Sequence, residues 1–149
     1  MENRTAAGLL KFAGITALGL MLFFLLMKFL NLIANVELRF VNFFIILIGI
    51  RQLLVTRKKE NDGKLEYLPG MMMGFTMALM ASVIFALFVF LYLSFIDLSL
   101  MENIRNTQSF GSFLSPGTSA LIIILEGGAS GAILSFALMH LYNKDNIRG

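Results

Sequence analysis

The sequence predicts an all-α integral membrane protein, a bundle of four transmembrane helices. Of its residues 58% are hydrophobic, only 14% are charged, and the mean hydropathy is +0.82. A soluble domain carries about 25% charged residues. The apolar residues form four continuous runs, whereas a membrane β-strand would alternate polar and apolar residues over about ten positions. Continuous runs of this length favour helices, which satisfy their own backbone hydrogen bonds in lipid.

We expect one transmembrane domain over residues 1–149, with spans at about 9–33, 40–55, 71–96 and 119–142. A helix needs about 20 apolar residues to cross a bilayer. The first run is too long for a secretory signal and no small-residue cleavage pattern follows it, so it is interpreted as a retained span. The second run is short. It crosses only if its flanks lie at the interface or the bilayer thins locally.

The distribution of basic residues predicts that both termini and the 56–70 loop lie in the cytoplasm, because Lys and Arg in loops are retained on that side. One side would hold Arg4, Lys11, Arg51, Arg57, Lys58, Lys59, Lys64, Lys144 and Arg148. The other side would hold only Lys28, Arg39 and Arg105.

Local signals mark the connections between the spans. Asn61-Asp62-Gly63 predicts a turn in the basic loop. In the 97–117 loop, apolar residues recur at helical spacing, so either a short interfacial helix or a disordered surface loop accounts for this segment. Ser115-Pro116 predicts an N-cap followed by proline at the first position of the last helix.

Small residues at intervals of four predict which helices pack closely, because helices in lipid associate through close backbone approach. The third span places Gly74, Ala78, Ser82 and Ala86 in one such stripe. The fourth span places Gly127, Gly131 and Ser135 in a second stripe, with Gly128 and Ala132 beside it. We therefore expect the third and fourth spans to form a tight hairpin.

Glu126 is the residue that most needs an explanation, because it lies in the middle of the apolar run 121–136. An ionisable group inside a span costs at least about 2.5 kcal/mol and normally faces other protein or a polar cavity. Counting residues along the helices places Lys28 at nearly the same depth, so Lys28 is the expected counter-ion, with Arg39 as a second candidate. Asn31, Asn42, Tyr92 and Ser94 fall at similar heights, which predicts an intramembrane polar cluster.

Three roles for Glu126 are open from the sequence. It is a structural carboxyl group, neutralised by Lys28 or protonated, that holds the bundle in one register. Alternatively, it handles protons or forms an ion or lipid-headgroup site. The third role is contact with a partner subunit.

The sequence lacks the residues that most chemical functions need. The chain contains one histidine and no cysteine, and it has no Gly-rich phosphate loop and no metal-ligand spacing. We therefore expect no enzymatic activity, no catalytic residue, no metal and no cofactor. No basic platform with aromatic side chains is present for nucleic acid.

Several segments carry a family resemblance. They are Gly49-Ile-Arg51, Tyr67-Leu-Pro-Gly-Met-Met-Met-Gly74, Phe95-Ile-Asp97, Leu114-Ser-Pro116 and Leu125-Glu-Gly-Gly-Ala-Ser-Gly131 with Phe136. Over residues 9 to 143 the chain resembles a bacterial family of four-helix inner-membrane proteins known only as a domain of unknown function. The resemblance implies a multi-pass protein of the inner membrane, with Glu126 on the family's acidic residue in the last helix. It implies no reaction or ligand.

Two functional hypotheses follow. The first is a non-enzymatic accessory or assembly subunit of a larger membrane complex, whose partners are membrane lipid and other membrane-protein subunits or further copies of itself. The second is a small transporter or proton-coupled channel component built around Glu126. Four helices are few for an independent transport pathway, which favours the hypothesis of an accessory or assembly subunit. The partner complex, any substrate and the oligomeric state are not encoded in a recognisable motif.

Overall fold

The computed structural model describes the backbone of residues 2–32, 40–107 and 111–147, and the side chains of residues 6–32, 40–106 and 111–142. The predicted all-α fold is confirmed, and the described residues contain no strand. The helices are α1 (Glu2–Phe29), α2 (Phe40–Glu60), α3 (Tyr67–Leu91), α4 (Leu98–Thr107) and α5 (Pro116–Ile147). A π-helical turn (Tyr92–Ile96) continues α3, and a single 3-10 turn (Gly111–Phe113) precedes α5.

Four of the helices in the described part of the chain are long and apolar enough to cross a membrane, so the protein is a multi-pass membrane protein. These segments are Ala6–Phe29, Phe40–Glu60, Tyr67–Ile96 and Pro116–Tyr142. The second helix is longer than its apolar run, because α2 continues through the basic residues to Glu60. We call the end of the bundle where α2 connects to α3 the basic-loop end. The opposite end, where α1 finishes and α4 lies, is the α4 end.

The closest helix pair is α3 and α5, which run antiparallel along their length. A Cβ atom added to Gly127 would lie 1.8 Å from Ser82 Oγ, and one added to Gly131 would lie 2.5 Å from Ala78 Cβ. Further toward the basic-loop end, a Cβ on Gly74 would meet Ser135 Oγ at 2.5 Å. Each four-residue step along α3 is thus matched by a four-residue step along α5 in the opposite direction.

Most of the small residues predicted from sequence to pack closely are buried, and two of them lie nearer the surface. Gly74, Ala78, Ser82, Ala86, Gly127, Gly131 and Ser135 are buried. Gly128 is half-buried, with ordinary van der Waals space to Leu79 for a Cβ atom, and Ala132 is exposed. Gly128 and Ala132 therefore lie at the margin of the α3–α5 contact, to one side of Gly127, Gly131 and Ser135 on α5.

Helices α1 and α2 complete the bundle against this pair. Helix α1 contacts α2 and α3, and α2 also contacts α3 and α5. The buried residues of α2 are Ile46, Ile50, Leu53 and Leu54. Since its first residues, Phe40 and Phe44, are 72% and 57% exposed, α2 joins the core mainly toward the basic-loop end.

The connections follow the local signals of the sequence. Asp62 and Gly63 have positive φ in the predicted turn, where Gly63 N–H donates to Lys58 O at 2.9 Å. The predicted cap of α5 is confirmed: Ser115 Oγ accepts from Thr118 N–H at 3.1 Å. Helix α4 covers residues 98–107 of the 97–117 segment, so the alternative of a disordered loop is wrong for these residues.

The contact between α3 and α5 can be tested with glycine substitutions. We expect Gly131→Ala to lower the melting temperature in detergent, because the new methyl group meets Ala78 Cβ, which cannot rotate away. Overpacking of this kind costs about 1–3 kcal/mol. The matched control is Gly128→Ala, which has room for its Cβ and which we expect to be neutral or slightly stabilising. Equal effects of the two substitutions would contradict this packing.

Candidate functional site

A cavity of about 350 Å³ opens in the half of the bundle toward the α4 end. Its walls come from the first halves of α2 and α5 and from the parts of α1 and α3 that face them. The lining residues are mostly apolar: Leu20, Phe23, Phe24, Met27, Phe40, Phe43, Ile46, Phe85, Val89, Leu93, Ile104, Leu114, Ile122 and Ile123. Ile104 of α4 and Leu114 form one side of this cavity. The volume and the apolar lining are typical of a small-molecule or side-chain binding site.

A few polar side chains interrupt this apolar wall. Glu126, Ser119 and Ser130 of α5 lie on one side and Asn42 of α2 on another. Asn42 Oδ1 is buried and accepts no hydrogen bond from the described residues. The fifth polar residue, Ser82, donates its hydroxyl proton to Ala78 O at 2.8 Å. The Glu126 carboxyl group and the Asn42 amide oxygen are two polar groups of this wall that have no hydrogen-bond donor within the described residues.

Glu126 is exposed in the single chain and lines this cavity. Within the described residues it makes no ion pair and no hydrogen bond. The expectation that neighbouring helices of its own chain enclose the carboxylate is therefore wrong. The reason is its position beside Gly127: Gly127 faces α3 at the closest point of the hairpin, so the preceding residue is turned to the edge of that contact.

Lys28, the expected counter-ion, pairs elsewhere. Its Nζ lies 2.6 Å from Asp97 Oδ2 and donates a hydrogen bond to Tyr92 Oη. The prediction of a Lys28–Glu126 ion pair is wrong, because a closer carboxylate stands at the end of the π-helical turn. The Tyr92 ring also packs edge-to-face on Phe24, with 5.5 Å between ring centroids.

Asp97 connects three parts of the chain. Besides the ion pair with Lys28, its Oδ1 accepts from Leu100 N–H at 2.9 Å and from Ser99 Oγ at 2.6 Å, and so it caps the N-terminus of α4. The hydrogen bonds from Lys28, Ser99 and Leu100 lower the pKa of Asp97 to about 2. Asp97 therefore stays ionised and holds α1, the end of α3 and α4 together.

The other residues of the predicted cluster have separate environments. Asn31 is exposed and has φ of 56°, and Leu32 N–H donates to Met27 O at 2.9 Å. These features describe a helix C-cap, in which asparagine tolerates the left-handed conformation. Ser94 is half-buried within the π-helical turn. Arg39 lies outside the described residues.

Sequence reasoning missed Asp97 as the partner of Lys28 and missed the cavity. A signal for Asp97 was present, since an acidic residue directly before an amphipathic segment is a common N-cap. No sequence signal indicates the cavity, because its lining residues are the same apolar types that fill the core. Among the described residues no group of three or more His, Cys, Asp and Glu side chains could hold a metal ion.

The fold and the site define a four-helix membrane protein with a carboxylate at an intramembrane cavity. Residues 11–144 match the family described as "Protein of unknown function (DUF4199)", and the chain belongs to this family. No curated protein and no solved structure matches the chain.

The role of Asp97 can be tested by pH. Its pKa is lowered by folding, so its contribution to stability is present above the ordinary carboxyl pKa of about 3.9 and is lost as the pH falls through about 2. We expect Asp97→Asn, which keeps the cap and removes the charge, to lower the melting temperature by a few degrees at neutral pH. The difference from the unsubstituted protein should close as the pH falls toward about 2.

The control for this measurement is Asp62→Asn in the basic-loop turn. Asparagine also tolerates the positive φ of that position, and Asp62 is exposed. We expect no change in melting temperature for it. An Asp97→Asn protein as stable as the unsubstituted one at neutral pH would show that the ion pair with Lys28 contributes nothing.

Proposed function

We propose that this protein is a non-enzymatic accessory or assembly subunit of a larger complex in the bacterial inner membrane. The observation that supports this function is Glu126. It lies within the span Pro116–Tyr142, is exposed in the single chain, and has no ionic or hydrogen-bonding partner among the described residues. A second chain that supplies a donor would satisfy this carboxylate.

Energetics favour an additional chain over an isolated bundle. A carboxylate in the middle of a span costs about 2.5–3.5 kcal/mol, and such groups normally pair or face a cavity. Lys28, the nearest cation in the sequence-based prediction, is held by Asp97 at 2.6 Å and by Tyr92. The Glu126 carboxyl group is therefore left for an external partner.

The proposed orientation places the basic-loop end in the cytoplasm. Arg57, Lys58 and Lys59 form the last turn of α2 at this end. Basic residues next to a span are retained on the cytoplasmic side. Glu126 and the cavity then lie in the half of the membrane that faces away from the cytoplasm.

A small transporter or proton-coupled channel component is the second candidate. It is favoured by one observation, the cavity of about 350 Å³ that Glu126 lines. Intramembrane carboxyl groups at such cavities serve ion and proton pathways. Known secondary transporters build their sites between repeated bundles, so a chain of four spans would need several copies or a partner.

Purification from native membranes in a mild detergent separates the two functions. We expect a different membrane protein to co-purify in a fixed stoichiometry, identified by mass spectrometry. Recovery of a homo-oligomer alone, which carries pH-dependent ion flux after reconstitution into liposomes, would overturn the subunit function and support transport.

Glu126→Gln tests the residue on which the proposal rests. The amide keeps the size of the side chain and removes the charge. We expect recovery of the partner to fall by at least about tenfold, equivalent to about 1.4 kcal/mol, because a charged hydrogen bond between chains is lost. The melting temperature of the isolated chain should not fall, since the carboxylate has no partner within the described residues.

The matched control is Glu102→Gln. Glu102 is exposed on α4, outside the four spans. We expect normal recovery of the partner with this variant. Normal recovery with Glu126→Gln as well would remove Glu126 from the interface.

A further inference from the structure

Residues of α1, α2, α3 and α5 line the cavity, and we call the part of it between α2 and α5 the cleft. Its lining residues on α2 fall between Phe40 and Ile46, and those on α5 between Ser119 and Ser130. At the other end of the bundle, Ile50 of α2 lies beside Gly74, where Ser135 of α5 also packs. Helices α2 and α5 thus approach each other toward the basic-loop end and separate toward the α4 end.

Two polar groups of the cleft have no hydrogen-bond donor within the described residues. Glu126 carries a carboxylate without a partner among the described residues, and Asn42 Oδ1 accepts no hydrogen bond. Both are hydrogen-bond acceptors, and one is a carboxyl group that carries a negative charge when it is ionised. An occupant that complements the cleft therefore carries a cationic donor together with apolar surface for Phe40, Phe43 and Ile122.

The depth of Glu126 distinguishes between the possible cationic occupants. It lies ten residues after the start of α5 at Pro116, which is roughly 15 Å along the helix axis. The ammonium group of a lipid headgroup stays at the membrane surface, and drawing it into the hydrocarbon layer beside a residue within a span is costly. A Lys or Arg side chain on a transmembrane helix is held at any depth by its place in the sequence.

We infer that the cleft between α2 and α5 receives a transmembrane helix of a different protein, and that a Lys or Arg within that helix pairs with Glu126. This inference rests on the proposed function and names the surface and the chemistry of the partner. The cavity, at about 350 Å³, has room for one long basic side chain, and Phe40 at the start of α2 is 72% exposed. Phe40 itself lines the cavity.

Site-specific photocrosslinking in native membranes tests the inference on the full-length chain. A benzoylphenylalanine is placed at Ile122, which lines the cleft one helical turn before Glu126. The matched control position is Leu125, which is 72% exposed on the same helix and does not line the cleft. Crosslinked peptides are sequenced by mass spectrometry.

We expect position 122 to crosslink to a transmembrane segment of another protein that contains Lys or Arg, with a yield at least about tenfold above position 125. Glu126→Gln should reduce this yield by a similar factor. A charge exchange completes the test: Glu126→Lys alone should abolish the crosslink, and an acidic residue at the partner's basic position should restore it.

The outcomes separate the inference from the proposed function. Crosslinks at position 122 to lipid only, or to a second copy of this chain only, overturn the inference. A foreign span that crosslinks equally from position 125, or that carries no basic residue, also overturns it, although the subunit function then stands. If neither position crosslinks to another protein and none co-purifies, the proposed function fails as well.

Discussion

The close contact between α3 and α5 determines where the other features of this protein lie. Gly127 and Gly131 bring α5 so near to α3 that Ser82 and Ala78 occupy the space a side chain would need. Because this contact fixes the rotation of α5 about its own axis, Glu126 is turned to the edge of the hairpin. From there it lines the cavity beside α2 rather than the core. A different rotation of α5 would bury the carboxylate or move it away from the cavity.

A second constraint acts at the α4 end, where Lys28, Tyr92 and Asp97 meet. Asp97 both caps α4 and pairs with Lys28. One carboxylate thus accepts a hydrogen bond from the first turn of α4 and neutralises the only basic side chain of α1 that lies near this end among the described residues. The π-helical turn brings Tyr92 and Asp97 to the same lysine, and Asp97 N–H donates to Tyr92 O at 3.0 Å. This local pairing leaves Glu126 without a cation from α1.

As a result of these two constraints, Lys28 and Asp97 at the α4 end are paired, whereas the Glu126 carboxyl group in the cleft has no partner among the described residues. In lipid, apolar surface alone gives little drive for association, so helices associate through close packing and through polar groups. An exposed carboxylate in a span is such a polar group. The association of this chain with another membrane protein would therefore depend on a few polar atoms of the cleft more than on its large apolar surface.

Sequence alone determined the fold class, the four spans, the α3–α5 hairpin, the Asn61–Gly63 turn and the cap at Ser115. Each of these depends on hydropathy, small-residue spacing or local backbone preference, which are properties of neighbouring residues in the chain. The partner of Lys28, the exposure of Glu126 and the cavity were decided only by the tertiary structure. Counting residues placed Lys28 and Glu126 at one depth. It could not show which way each side chain faces or that α2 separates from α5, because those depend on helix rotation and crossing set by contacts between distant residues.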